Sequence, residues 1–426
     1  MIFLPKKLFD ELTGSELKFL FYTGFCVLFL CIEAAISKAA VHSIFLHHFG
    51  ALNYPYIWIF SIFINSVSVL LYNKFLPKIG CLGVVGIVIG ITIILEVFGI
   101  FFLVSSRSLS FFHILWREVY MVILLQQLWS NVHYFLRLKH AKFLYGILFC
   151  IGSFGSTLGS FIVSKSSTQI GSEYLFLFCV PSLFACIILF RLMFKISKVD
   201  SDQLLITQKG NFSTGYKIIS NNSFLIFLLL TVVLTQIGSS IINYQFNFLL
   251  EKKFSDIDTR TEFIGRITSI FNLLSFILEL VGSYVFIELL GAKKIYQFIS
   301  IILILNSIIM ILNPTLIIFA YAHVTIKTFE RSTFNIIKEL LYVPLKTVEK
   351  FHAKAFIDVL GYRFAKVFSA FLLIIIPKLL PNEFIYAISI SALIVFIIWF
   401  SLLNKMFNTY EKILKNQKDD KQIDTI

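Results

Sequence analysis

The run CLGVVGIVIGITIILEVFGIFFLVS, from Cys81 to Ser105, holds 25 residues and one charged side chain, Glu96. As an α-helix it would be roughly 37 Å long, enough to cross a hydrocarbon core of roughly 30 Å. Its hydrophobicity is continuous rather than alternating, which excludes the strand of a membrane β-barrel. Runs of the same kind fill the chain: 17–37, 54–75, 81–105, 111–136, 143–164, 173–194, 224–250, 263–290, 295–313, 314–340, 355–376 and 383–407. They predict an all-α membrane protein with twelve transmembrane helices.

The composition agrees. Of 426 residues, 58% are hydrophobic and 14% charged, Phe occurs 49 times, and mean hydropathy is +0.86. A soluble chain of this length needs a far more polar surface. Soluble enzymes, nucleic-acid-binding modules and disordered scaffolds are therefore excluded, and no nucleic-acid partner is expected. No nucleophile–base constellation, phosphate loop or zinc signature appears, so neither an enzyme nor a cofactor is expected. The cysteines lie in apolar runs without C-x-x-C spacing and read as small buried hydrophobes. His42, His47 and His48 cluster beyond the first span without a ligand spacing.

The longest polar interruption, 196–223, divides the spans six and six. The expected organisation is an N-terminus (1–16), a first half (17–195), a linker (196–223), a second half (224–407) and a tail (408–426). With the N-terminus inside, about 21 Lys and Arg fall in cytoplasmic segments and about 7 outside, so both termini are expected in the cytoplasm. This bias accounts for most of the net charge of +13 without invoking a substrate. The sequons at Asn211 and Asn221 fall in the linker and read as chance.

An internal repeat is visible. His140-Ala141-Lys142 opens span five and His352-Ala353-Lys354 opens span eleven, an offset of 352 − 140 = 212 residues. The same offset carries Glu118 onto Glu330 and Glu33 onto Gln245. Two six-helix halves in parallel repeat are the major-facilitator arrangement, with a substrate site near mid-membrane.

Ionisable residues within spans are functional candidates, because a charge there costs about 2.5–3.5 kcal/mol. Glu33 and Lys38 flank the end of span one, where Lys38 is placed to snorkel. Span four carries Arg117 and Glu118. Span ten carries Lys327, Glu330 and Arg331, with Lys327 and Glu330 at ion-pair spacing. Span eleven carries Arg363 and Lys366, two cations on one face that suit a multiply charged anion. Arg beside Glu118 and Glu330 is expected to keep both acids ionised, which favours anion exchange over proton symport. Glu96 and Glu279 stand isolated. In span seven, Gln236, Asn243 and Asn247 share a face, either as a helix–helix seam or as a substrate-facing stripe.

Lys338-Glu339-Leu340-Leu341-Tyr342-Val343-Pro344-Leu345, Lys350, and Lys354-Ala355-Phe356-Ile357-Asp358-Val359 resemble the K-E-M-x-Y-I-P-L … K-x-K-A-K/A-x-I-D-V-V stretch of the ATP/ADP antiporters, the nucleotide transport proteins of plastids and intracellular parasites. Trp129 followed by Ala141-Lys142-x-x-Tyr145 is similar to that family's F-W-x-x-A-N … E-A-K-R-F-Y segment, with His133 where the family has Asn. The resemblance implies a major-facilitator-like transporter that exchanges ATP, ADP or a related phosphorylated anion. It also carries transport roles onto Lys38, Glu118 and Lys366. Ala39 replaces the Asp of the first motif, Val367-Phe368-Ser369 replace a small-residue S-G-G, and Asn243 stands where the family has Glu. These departures motivate the alternative, a non-transporting paralogue serving as a receptor or assembly partner. The lipid bilayer is the expected partner and a monomer the expected state. Richness in Phe, Ile, Lys and Asn fits an AT-rich genome, and with the resemblance implies the plasma (inner) membrane of an intracellular parasite or symbiont.

Overall fold

The computed structural model describes residues 13–135, 138–197, 212–282, 288–345, 352–354 and 356–423. Asn211, Lys350 and Ala355 of the sequence reading lie outside these residues, as does most of the linker. Every regular element among the described residues is helical. In order they are α1 (Gly14–Phe49), α2 (Tyr54–Phe102), α3 (Arg107–Phe135), α4 (Leu138–Ile170), α5 (Phe176–Ser197), α6 (Phe212–Ser220) and α7 (Ser223–Lys253). Then follow α8 (Ile257–Ile277), α9 (Ala292–Leu312), α10 (Leu316–Phe329), α11 (Asn335–Leu341), α12 (Tyr362–Leu379) and α13 (Phe384–Ile423).

Ten described helical segments are long and apolar enough to cross a membrane. One of them contains α2, which holds two expected spans joined at Gly80, where φ is 77° just after Pro77. The span at 314–340 is the broken pair α10–α11, interrupted by a π-helical stretch at Glu330–Phe334. The expected twelve crossings are thus accounted for, in a multi-pass integral membrane protein. Large side chains face outward, with Phe101 70% and Leu312 78% exposed. In water such apolar patches would be a liability; here they are the surface for lipid.

α1 begins with a capping box in which Thr13 accepts from the Glu16 amide and Glu16 accepts from the Thr13 amide. It runs 36 residues, to Gly50 at φ 75°. Lys38 is therefore inside the helix, not at its end as its charge implied. The buried residues Ala39, Ala40, Val41, Ile44, Phe45 and Leu46 carry the helix beyond it, and His42, His47 and His48 belong to its last turns.

The chain forms two compact units, residues 1–208 with 250–281, and 209–249 with 282–426. Span eight thus belongs with the first unit. In that unit α4 approaches α1 through small residues: a Cβ on Gly155 would lie 2.6 Å from the Leu28 carbonyl oxygen, and one on Gly159 would lie 2.5 Å from that of Ile32. Such close approach is how membrane helices gain packing without a hydrophobic driving force. α8 meets α4 the same way, and Asn272 donates to the Ser160 hydroxyl at 3.2 Å. At one end, Glu251 accepts from the Ala51 amide at 2.6 Å, and Asp258 accepts from Ser172. Arg260 ties the carbonyls of Ser43 and Phe254 there. Asp256 caps α8, and the Thr259 amide, 2.9 Å away, holds its carboxyl below the usual range.

In the second unit, Phe334, Trp399 and Tyr296 pack edge to face around a buried centre. Gln245 on α7 donates to Ser389 of α13 at 2.7 Å.

Gly159→Val forces a side chain into the Ile32 carbonyl. We expect a cost of about 1–3 kcal/mol, typical of overpacking, read as a lower thermal midpoint in detergent. Gly146→Ala, with nothing within 4 Å of the added methyl, should leave the midpoint unchanged. Equal midpoints for the two variants would contradict the α1–α4 packing.

Candidate functional site

Each compact unit assembles its own set of membrane-embedded ionisable residues. In the first, Arg117 and Glu118 on α3 form an ion pair at 3.0 Å. Arg117 also donates to the Ala34 carbonyl of α1 at 3.4 Å, one turn before Lys38. Lys38 is exposed although it lies well inside α1.

In the second unit, Glu330 is the hub. Lys327 donates to it at 2.8 Å, and Ser239 of α7 at 2.8 Å. Gln236 of α7 also donates to Glu330. Lys327 reaches the same Ser239 hydroxyl at 2.9 Å. The cation paired with Glu330 is therefore Lys327, at i, i+3, and not the adjacent Arg331. The reason is local: Lys327 precedes the π-helical stretch, whose extra residue per turn changes the angular step between Glu330 and the residues after it. Arg331 is half-buried within that stretch.

One of the three residues of the polar seam on α7 is thus explained. Gln236 is a helix–helix contact, whereas Asn243 is half-buried and makes no hydrogen bond among the described residues. Ser239 was not anticipated. Its only signal was its position between Gln236 and Asn243 on one helical face.

Arg363 and Lys366 lie on α12 after a second π-helical stretch, Phe356–Gly361. Both are half-buried. Lys366 has no ion-pair partner among the described residues. Asp358, the nearest acid in sequence, is taken by Lys338 at 2.8 Å. Lys338 is buried and also lies 5.3 Å above the Tyr362 ring. Its neighbour Glu339 pairs with Lys354 at 2.6 Å. The sequence motif at 338–359 is thus a double ion-pair staple joining the end of α11 to the stretch before α12.

The sequence reading left Glu96 isolated. The structure brings it to Glu33, with a carboxylate oxygen of each and the Cys179 sulfur all within 4.8 Å of one another. The signal available in sequence was one acid within each of two apolar runs.

Comparison with known proteins bears out the resemblance in part of the chain. Residues 277–410 match the family model described as TLC ATP/ADP transporter. That segment contains Lys327, Glu330, Arg331, Arg363, Lys366 and the staple. ADP,ATP carrier protein 4 of Rickettsia bellii (strain RML369-C) is 34% identical over 110 residues, which is 24% of this chain and 21% of that carrier. The match therefore spans about a fifth of the relative's length. The whole fold is similar to the crystal structure of the nucleoside transporter NupG, with TM-score 0.59 and 14% identity over 93% of this chain and 99% of that one. It is likewise similar to a bacterial homologue of the human lysosomal transporter Spinster, with TM-score 0.59 and 8% identity over 94% and 99%. The fold is the major-facilitator-like arrangement expected.

If the staple is structural, Lys338→Glu and Asp358→Lys each strand a charge in a mostly buried site, at about 3–5 kcal/mol. Each should lower the thermal midpoint, and the double variant should recover most of the loss. A double variant no more stable than either single would refute the pairing.

Proposed function

We propose that this chain, whose residues 277–410 carry the sequence pattern of the ATP/ADP transporter family, is a secondary transporter. It exchanges nucleotides of the ATP/ADP type, or a related phosphorylated anion, across a membrane by alternating access. The observation that carries this reading is Lys366. It lies 14 residues after the start and 13 before the end of the crossing His352–Leu379, too deep to snorkel. No acid among the described residues neutralises it. Its repeat mate, 212 residues earlier, is Phe154, so the repeated scaffold has no need of a cation there. A charge held at mid-depth in one half only is accounted for by an asymmetric anionic ligand.

Lys38, Arg331, Arg363 and Lys366 neutralise phosphates in this account, the arginines through bidentate contact. Glu118 and Glu330 orient Arg117 and Lys327 rather than meeting the anion. Asn243 offers a neutral hydrogen-bonding group to the substrate. The Lys and Arg bias puts both termini in the cytoplasm, and the plasma membrane of an intracellular parasite or symbiont is the setting. The competing reading, a paralogue without transport, rests on Ala39, Asn243 and the Val367-Phe368-Ser369 that replace a small-residue motif, and leaves the cost of Lys366 unexplained.

The test is uptake of labelled ATP and ADP into proteoliposomes preloaded with unlabelled nucleotide. Wild type should exchange. Lys366→Gln should keep its thermal midpoint and lose affinity by about 2–5 kcal/mol, the cost of one desolvated charge contact. Unchanged affinity, or failure of the variant to fold, would make Lys366 structural. No uptake by well-inserted wild type would overturn the function.

A further inference from the structure

The carboxylates of Glu118 and Glu330 are committed to cations and have no place for a proton. Two others differ. Glu33 on α1 and Glu96 on α2 are both 0% exposed. A carboxylate oxygen of each and the Cys179 sulfur lie within 4.8 Å of one another. Tyr120 of α3 donates to Glu33 Oε1 at 2.5 Å. Glu33 Oε2 and both oxygens of Glu96 have no hydrogen-bond partner among the described residues.

Among the described residues no cation forms an ion pair with either carboxylate. Arg117 of α3 is the nearest cation, and it is held by Glu118 and by the Ala34 carbonyl. Cys179 of α5 points its thiol at the Glu33 carbonyl oxygen, 3.9 Å away. A sulfur that keeps its hydrogen is a poor metal ligand. His113 of α3 packs against Phe176, with ring centroids 5.2 Å apart. The face of α4 that meets this part of α1 is Gly152, Gly155 and Gly159, without a titratable group.

Two negative carboxylates this close in an apolar interior repel strongly, and one proton between them removes that repulsion and lets one unpartnered oxygen donate to another. The repeated scaffold does without such a pair. At the 212-residue offset Glu33 becomes Gln245, whose side-chain nitrogen donates to Ser389 and to the Ile385 carbonyl, and Glu96 becomes Ile308. Uncompensated intramembrane acids of this kind mark proton relays in transporters.

We propose that Glu33 and Glu96 form a proton-carrying pair that loads and releases one proton during the transport cycle. The proton arrives from water on one side, is held as a carboxyl O–H shared across the pair, and leaves to water on the other. Only O–H bonds form and break. A chain of hydroxyls leads to it: Ser37 donates to Tyr120 at 3.0 Å, and Tyr120 donates to Glu33. Ser37 adjoins the exposed Lys38, and Arg117 bonds the Ala34 carbonyl next to Glu33, so proton loading and anion binding share one stretch of α1. The coupling rests on the transport reading above; the shared proton does not.

Two measurements test it. Infrared spectra of the purified protein at neutral pH should contain the C=O stretch of a protonated, buried carboxyl group, shifted in D2O. The band should be lost in Glu96→Gln and altered in Glu33→Gln. In proteoliposomes exchanging labelled ADP, an inward proton gradient of one pH unit should raise accumulation up to about tenfold, the ratio of proton activities. Glu96→Gln should still exchange ADP but ignore the gradient. Absence of the band in wild type, or its persistence in both variants, overturns the pair. So does exchange by wild type that is indifferent to the gradient, or abolished by added zinc and restored by chelator. If wild type exchanges no nucleotide at all, the substrate reading fails. The infrared band then decides the pair alone: loss of the band in Glu96→Gln sustains it, and no band refutes it.

Discussion

A charge at the centre of a bilayer costs about 2.5–3.5 kcal/mol on insertion scales, and that cost orders the ionisable residues of this chain. Arg117 with Glu118, Lys327 with Glu330, and Lys338 with Asp358 meet it by pairing at 2.8–3.0 Å. Glu33 and Glu96 lower it by lying beside one another, where in the proposed pair one shared proton removes one of the two negative charges. Among the described residues, Lys366 meets it in neither way. The cost of an unpaired cation is tolerable when a ligand repays it in part of the cycle, and on this ground the transport reading stands on Lys366 more than on any paired residue.

Much of the fold was legible because helices in lipid must satisfy every backbone group internally and be apolar all round. Hydropathy alone located the crossings, and the repeat offset related them. Hydropathy also ends a crossing at a charge, which is why Lys38 was read as an interfacial residue instead of one inside a 36-residue helix. The interruption at Glu330–Phe334 left no trace in the pattern, because one π-helical turn alters which residues share a face without altering composition. The meeting of Glu33 with Glu96 depends on how α1 and α2 lie against each other. Spacing along the chain carries no record of that.

The motif that carries the resemblance is also not where the proposed anion chemistry lies. Lys338 and Glu339 with Asp358 and Lys354 bind one stretch of chain to another through two ion pairs. Such a staple needs particular charges at particular positions and so keeps a distinctive sequence. The residues proposed to meet the anion sit on either side of it, on α10 and its π-helical continuation, and on α12. Within the repeat, matched positions have diverged by role. Glu118 and Glu330 both hold cations, whereas Glu33 faces an acid and Gln245 holds a serine.

The central claim is that this protein binds the phosphates of its ligand through embedded cations. Thermal unfolding of the purified protein with ATP, ADP, inorganic phosphate and adenosine tests it most directly. ATP and ADP at 100 times Kd should stabilise by about 2.7 kcal/mol, with a weaker effect from phosphate and none from adenosine. Stabilisation by adenosine equal to that by ATP would contradict the claim, since it would place recognition on the base and sugar and leave Lys366 without a ligand.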